Sequence, residues 1–166
     1  MALVIEDGSE IAGAQSFVTV AELDAYALLR NITTLPAVET EKEALLILGM
    51  DFINTQESKF QGARNTSTQI LSFPRNGVSM FGFPFSSASV PQLVKDAQMQ
   101  IAIEAVTNDL IPTGAGRETI REKVGEIEVE YSSVKGGTIQ PVFNKVISLL
   151  EPIFEIASGS LFSVRV

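Results

Sequence analysis

The stretch FQGARNTSTQILSFPRNGV, residues 60–78, lies between two long helical patterns and decides how the chain is organised. Two short aromatic phrases within it each end in an arginine. The planar donor fork of arginine can engage several acceptors at once. We therefore predict a structural clamp, in which the arginines bond loop carbonyls or helix carboxylates and fix the loop between the helices. Its members are Phe60, Arg64, Phe73, Pro74 and Arg75.

The composition describes a packed protein without the usual catalytic residue types. With 166 residues, of which 45% are hydrophobic, we expect one domain with a real core. No apolar window is long enough for a membrane helix, and the first residues do not resemble a signal peptide, so cytoplasmic synthesis is expected. The chain contains no Cys and no His, which excludes disulfides, thiolate or imidazole metal sites and histidine-based triads. We predict no catalytic residues, no metal and no cofactor; only a carboxylate-only hydrolase would remain among enzymes.

The net charge of -8 limits how the chain can meet nucleic acid. Non-specific DNA affinity comes mainly from Lys and Arg that neutralise phosphates. With 12 basic and 20 acidic residues, the protein is a poor candidate for wrapping DNA tightly. The protein could still lie next to DNA without binding it tightly.

Periodicity predicts a mainly α fold of the α+β type, a bundle of about four helices with β-hairpin or strand extensions and extended termini. Thr19–Glu22 and Thr40–Glu43 both carry a capping-box pattern, and they open helices to about Arg30 and Glu57. The first helix is expected to bury Leu23, Tyr26 and Leu29. The second is expected to bury Ala44, Leu45, Ile47, Leu48 and Phe52.

Two further helices complete the predicted bundle. The helix over 89–110 carries the apolar stripe Val94, Ala97, Ile101 and Ala105, and we expect it to be central. The last helix runs over 141–154. We divide the chain into an arm (1–18), a helical core (19–113), a strand region (117–134) and a C-terminal helix and tail (138–166), all within one domain.

The stretch 126–131 alternates strictly and predicts a half-buried strand, with residues 120–124 as a pairing or continuous strand. Its outward acidic row is Glu126, Glu128 and Glu130. The row could be a solvated edge blunted by charge. It could also be a lining that faces DNA in a channel and repels it. A divalent-metal site would need further ligands from elsewhere.

Three segments are candidate surfaces for another subunit or partner. An Asp7-Gly8 turn predicts a hairpin or an extended arm over 3–12. The loop MFGFPF, residues 80–85, carries Phe at every second position, either as anchors for a partner or folded onto its own core. The end of the chain alternates like a strand that needs an edge to pair with. The candidate interface residues are Val4, Ile5, Phe81, Phe83, Phe85, Phe162, Val164 and Val166.

Several phrases in a fixed order resemble a family of tailed-phage proteins. The resemblance is sharpest at Phe60-x-Gly-x-Arg64 and at Leu71-x-Phe-Pro-Arg75-x-Gly77-Val78. It resumes at Val90-Pro91 and at Val129-Glu-Tyr131. Members are labelled DnaT-like single-stranded-DNA-binding proteins, and they also resemble head–tail connector adaptors.

The resemblance implies a structural virion protein of the phage neck, an adaptor that forms a typically dodecameric ring between portal and tail. The implied partners are further copies of the chain, the portal protein and a tail, tail-terminator or stopper protein. DNA would pass through the ring without sequence-specific binding. The alternative is a replication accessory protein that holds single-stranded DNA. In that case Phe60, Phe73 and the Phe residues of the 80–85 loop could stack on bases, and Arg64 and Arg75 could hold phosphates.

Overall fold

The computed structural model describes residues 3–108, 110, 121–124, 127–130 and 143–155. The described part contains four α-helices and three two-stranded antiparallel sheets, which confirms the predicted mainly helical α+β fold. The helices are α1 (Val20–Leu29), α2 (Glu39–Thr55), α3 (Gln92–Glu104) and α4 (Asn144–Leu150). The strands are β1 (Ala63–Arg64), β2 (Arg75–Asn76), β3 (Ser79–Met80), β4 (Phe83–Pro84), β5 (Arg121–Val124) and β6 (Ile127–Glu130). None of the helices in these ranges is long and apolar enough to cross a membrane.

Helix α1 begins as the sequence predicts. The Thr19 hydroxyl accepts a hydrogen bond from the Glu22 N–H, and the Glu22 carboxylate accepts one from the Thr19 N–H, so the capping box is complete. Leu23 and Tyr26 are buried as expected. The prediction for Leu29 is wrong: its side chain is 84% exposed, and Ala27 faces the core instead.

Helix α2 does not use the capping box predicted at Thr40. It begins at Glu39, and its N-cap is Val38, which makes no side-chain capping bond. A capping box requires the threonine to stand just outside the helix, whereas Thr40 already lies within it. The first turn of α2 is held against α1 by an ion pair between Lys42 and Asp24. The Lys42–Asp24 ion pair therefore accompanies the start of α2 at Glu39, where the local sequence contains no capping motif.

The predicted buried face of α2 is wrong for three of its five residues. Its buried residues are Leu46, Gly49, Met50 and Ile53, whereas Ala44, Ile47 and Leu48 are exposed and Leu45 and Phe52 are half-buried. Gly49 explains the choice of face. A Cβ at that position would lie 2.9 Å from the Gln98 carbonyl oxygen, so only glycine lets α2 approach α3 so closely. The close approach places the glycine side of the helix against the core.

Helix α3 is the central helix of the described fold, as predicted. Val94, Ala97 and Ile101 are fully buried, and Ala105 is half-buried just beyond its end. Gln98 also lies on its buried side, with 0% exposure. The Gln98 side chain accepts a hydrogen bond from the Phe17 N–H and donates to the Ser16 hydroxyl and the Leu46 carbonyl. One buried amide therefore joins α3, α2 and the segment before α1.

The N-terminal segment lies on the chain's own body in its described part. Ile5 forms a parallel bridge with Ser16, so the hairpin expected between residues 3–5 and Ile11 is wrong. The Glu6 carboxylate is buried and accepts hydrogen bonds from the N–H groups of Gly8, Glu10 and Ile11. These bonds to Glu6 fold the segment into a compact turn.

The C-terminal helix is shorter than predicted. Helix α4 covers Asn144–Leu150 and is followed by a 3-10 turn over Glu151–Ile153, with Val146, Leu150 and Ile153 buried. Strands β5 and β6 pair with each other, which confirms a pairing strand before the alternating one. The tail beyond residue 155, with Phe162, Val164 and Val166, lies outside the described residues.

Candidate functional site: the arginine clamp

The clamp is centred on Glu57, in the 3-10 turn that follows α2. Its Oε1 atom accepts hydrogen bonds from Arg64 Nε at 2.6 Å and from a terminal nitrogen of Arg75 at 3.1 Å, while Oε2 accepts from Arg64. Strands β1 and β2 set the two arginines opposite each other, because the register pairs Arg64 with Arg75. One carboxylate therefore bridges two guanidinium groups that the strand pairing brings together.

The electrostatics follow from this arrangement. The hydrogen bond from Arg64 is the main reason that the pKa of Glu57 lies below its ordinary value, with a smaller contribution from Arg75. The same bond raises the pKa of Arg64. The lowered pKa of Glu57 and the raised pKa of Arg64 both favour the charged forms, so the Glu57 carboxylate stays ionised in the folded protein.

Arg75 lies deeper than Arg64. Its side chain is 6% exposed, compared with 32% for Arg64. Besides Glu57, the Arg75 guanidinium donates to the carbonyls of Gln61, Gly62 and Ser72. Arg64 donates to the Gln69 carbonyl in addition to Glu57. Both arginines therefore donate to backbone carbonyls of residues 61–72 as well as to Glu57.

The aromatic residues of the clamp form part of the core. Phe60 and Phe73 are 3% and 1% exposed, and Pro74 is buried. The Phe60 ring lies 5.2 Å from Phe73 and stacks on Phe154 at 5.7 Å between centroids. Flat rings with both faces covered cannot act as platforms for nucleic-acid bases.

Gln61 and Glu57 are the residues of this site that sequence reasoning missed. The Gln61 side chain donates to the carbonyls of Pro152 and Phe154 and accepts a hydrogen bond from the Ser79 N–H. The Gln61 backbone bonds Ile153 and Arg75. Gln61 lies within the phrase Phe60-x-Gly-x-Arg64, yet a glutamine in a loop carries no pattern that marks it as a junction.

The candidate interface residues divide into two groups. Phe81 and Phe83 project from the β3–β4 hairpin with 76% and 73% exposure. Phe85 is half-buried against the core, Val4 is 37% exposed and Ile5 is half-buried. The described structure therefore leaves the tip of the hairpin as the accessible aromatic feature.

Two members of the acidic row lie on β6, and Glu126 lies outside the described residues. The strand register sets Glu128 opposite Lys123 and Glu130 opposite Arg121. Each described acidic position therefore has a basic residue as its cross-strand neighbour. In the part of the chain that the structure describes, no three Asp or Glu residues converge to hold a metal ion.

The comparisons with known proteins returned one match. The model of a family described as "Putative DnaT-like ssDNA binding protein" matches residues 1–166. No curated protein and no solved structure matches the chain. The match supports the DnaT-like label of the resemblance and gives no support to the head–tail connector part.

Proposed function

We propose, for a chain that belongs to the DnaT-like single-stranded-DNA-binding family, that the signature at residues 60–78 is structural and that the protein works as an assembling scaffold. Its proposed place is the neck of a tailed phage, as an adaptor ring between the portal protein and a tail or tail-terminator protein. One observation carries the scaffold role. Three of the four signature residues that could hold single-stranded DNA are buried, since Phe60, Phe73 and Arg75 are at most 6% exposed. The fourth, Arg64, is 32% exposed and bonds Glu57.

Three further described cations support the same conclusion. The Arg30 guanidinium lies 3.5 Å from the centre of the Tyr26 ring, Lys42 pairs with Asp24, and Lys59 donates to Gln56. A single-strand binder needs a basic groove lined with aromatic platforms. These three cations are instead engaged locally, on a chain whose net charge is -8.

The experiment that tests this role is cryo-electron microscopy of purified virions, combined with labelling of the protein. We expect a ring of copies at the junction of head and tail, surrounding the DNA path. Finding the protein only in soluble fractions of infected cells, and never in virions, would overturn the proposal.

The second candidate is single-stranded-DNA binding, which the family description favours over a virion role. Because the clamp is occupied, DNA contacts would have to come from elsewhere, and Arg121 and Lys123 on the β5–β6 hairpin are the first residues to test. A basic contact to phosphate makes affinity fall as salt rises.

Fluorescence anisotropy with a labelled oligothymidine at low ionic strength separates the two candidates. Salt-sensitive binding that weakens in Arg121→Ala/Lys123→Ala would establish the second candidate. Under the scaffold role, neither the wild type nor Arg64→Ala binds the oligonucleotide, and Arg64→Ala only loses stability. An affinity that depends on Arg64 would contradict the structural assignment of the clamp.

A further inference from the structure

A cavity of about 190 Å³ lies between the compact turn around Glu6 and the loop over residues 66–71. The turn contributes Glu6 and residues 10–14, and the loop contributes Thr66 and residues 68–71. Since one water molecule occupies about 30 Å³ of liquid, the cavity has room for about six waters or for one small organic group. The three charged residues of the clamp are not among the lining residues, so the cavity is separate from the clamp.

The two ionisable side chains at the cavity are both carboxylates. Glu6 is 2% exposed, and Glu10 is half-buried. None of the described lining residues is Lys or Arg, and neither carboxylate forms an ion pair within the described part of the chain. Buried carboxylates are ordinarily paired with a cation or bound by several donors. The cavity is therefore negatively charged, and its charge favours a cationic ligand.

Both carboxylates keep acceptor sites that internal hydrogen bonds do not use. An ionised carboxylate offers about four lone-pair sites. Glu6 uses three of them for the N–H groups of Gly8, Glu10 and Ile11, at 2.8–2.9 Å. The Glu10 carboxylate accepts from the Thr66 hydroxyl at 2.9 Å. These bonds hold both groups in position and leave each of them able to accept from a ligand.

Gln69 supplies a second, independent feature of a binding site. It is 7% exposed, and its Nε2 atom donates to the carbonyls of Leu71 and Pro74, both at 2.8 Å. These bonds fix the amide and leave its buried Oε1 atom without a hydrogen-bond partner among the described residues. A buried polar atom costs free energy until a donor reaches it. Because Gln69 lines the cavity and its nitrogen end is turned to the loop, the cavity is where such a donor can be supplied.

The set of acceptors selects one class of cation. An alkylammonium group carries three N–H donors on one positively charged nitrogen, and three acceptor groups line the cavity: Glu6, Glu10 and Gln69 Oε1. Calcium instead takes about six to eight oxygen ligands. In the described residues no three carboxylates converge as they would for a metal ion. The wall also includes Ile11 and Leu71, which suit methylene groups better than the hydration shell of an ion.

From these features we propose that the cavity binds a primary alkylammonium group. The group donates to Glu10, to the remaining acceptor site of Glu6 and to Gln69 Oε1, and its alkyl chain lies against the apolar wall. A free amine and a lysine side chain of another protein present the same chemistry. The site goes beyond the proposed scaffold role and does not depend on it.

Titration of the full chain with n-butylammonium chloride at about pH 7, followed by ¹H–¹⁵N correlation spectra, tests the site. The probe stays charged, since an alkyl amine titrates near pH 10.4 as lysine does. We expect saturable shifts of the Gln69 side-chain amide and of the Gly8 and Ile11 N–H groups, with a Kd on the order of 1 mM. Butyltrimethylammonium has the same charge but no N–H donor, and it is expected to bind about tenfold more weakly or less.

Glu10→Gln tests the contribution of the carboxylate without disturbing the turn. Its side-chain oxygen can still accept from Thr66, so the internal bond remains while the charge is lost. We expect the Kd for n-butylammonium to rise about tenfold, as for the loss of one hydrogen bond to a charged group. Glu41→Gln removes an exposed carboxylate on α2 and is the matched control, with an unchanged Kd.

Two further probes distinguish the sources of the group. 1,4-Diaminobutane represents free amines, and Nα-acetyl-lysine N-methylamide represents a lysine side chain within a protein. Binding of the diamine alone assigns the cavity to free amines, because the backbone of the lysine probe is then too large for its entrance. Binding of both shows that a lysine side chain of a partner protein reaches the same three acceptors.

Three results would overturn the proposal. The first is no saturable shift up to about 50 mM n-butylammonium, which lies far above the expected Kd. The second is a Kd that Glu10→Gln does not change, or equal binding of butyltrimethylammonium. The third is a response of the same N–H groups to calcium chloride but not to the amine, which would identify a metal site instead. None of these results bears on the presence of the protein in virions, so the proposed function stands or fails separately.

Discussion

Replacing Glu57 with glutamine tests whether the clamp depends on its shared carboxylate. The substitution keeps the size of the side chain but removes the charge that both arginines contact. Arg75, whose side chain is 6% exposed, then loses a hydrogen bond to a charged acceptor, worth about 1.5–3 kcal/mol. Arg64 is 32% exposed and recovers most of its loss from water, so its share is about 0–1 kcal/mol.

The expected cost of Glu57→Gln is therefore about 1.5–4 kcal/mol of the free energy of unfolding at pH 7. For a chain of this size that corresponds to a Tm lower by roughly 3–16 °C. Urea unfolding followed by circular dichroism measures the difference. Glu41→Gln, which changes an exposed carboxylate on α2, serves as the control and is expected to stay within about 0.5 kcal/mol.

The pH dependence gives the same prediction a second test. Hydrogen bonds from Arg64 lower the pKa of Glu57 in the folded protein, so the unfolded chain binds the proton more readily. The stabilisation is complete above the ordinary pKa of 4.5 and is lost as the pH falls through the lowered value. The gap between wild type and Glu57→Gln must shrink in acid. A gap below about 0.5 kcal/mol at pH 7, or one that does not change with pH, would refute the reasoning.

Three further predictions concern helix starts, helix contact and the hairpin turn. Thr19→Ala is expected to lower the free energy of unfolding by about 1 kcal/mol, because it removes a complete capping box. Thr40→Ala changes the same motif but should cost much less, because Thr40 caps no helix. Chemical denaturation of the two variants measures the difference. Gly49→Ala places a Cβ 2.9 Å from the Gln98 carbonyl and should destabilise the fold by about 1 kcal/mol or more, despite the better helix propensity of alanine. A Gly49→Ala variant more stable than the wild type would show that α2 and α3 have room for a Cβ between them. Ala44→Gly, on the exposed face of α2, is the control that measures the effect of helix propensity alone. Phe81→Asn should raise the Tm by about 2–4 °C, since it relieves about 1 kcal/mol of backbone strain at a positive φ. Differential scanning calorimetry measures the Tm. An unchanged or lower Tm would show that Phe81 is not strained.

The elements with strong local signals could be predicted from the sequence. Helix α1 follows from the capping box at Thr19, and the buried stripe of α3 follows from the spacing of Val94, Ala97 and Ile101. The same capping pattern failed at Thr40. The motif at Thr40 has the same pattern as the one at Thr19. The start of α2, however, is accompanied by an ion pair with α1, and the spacing of residues in the sequence does not reveal such a contact.

The buried face of α2 could not be predicted for a similar reason. Apolar residues surround the middle of this helix, so periodicity alone permits several faces. The deciding residue is Gly49, which contributes no hydrophobicity and matters only because the backbone of α3 lies against it.

For the candidate site, the sequence identified the residue types but not their partners. It indicated that Arg64 and Arg75 would bond carbonyls or a carboxylate, and the structure contains both kinds of bond. It did not identify Glu57 or Gln61, because each acts through contacts to segments that are distant in sequence. The exposure of Phe81 and the burial of Phe73 likewise depend on the fold, since both are phenylalanines in loop-like sequence.

The junction at Gln61 has a consequence for how the protein is made. Gln61 bonds Pro152, 91 residues later, and the Glu155 N–H bonds the Lys59 carbonyl. During translation, the Phe60 ring can therefore be covered by Phe154 only after residue 154 has left the ribosome. A nascent chain that pauses before α4 carries an uncovered aromatic surface, and contacts of such long sequence separation form slowly. This part of the core is therefore completed only after α1, α2 and α3 have been synthesised.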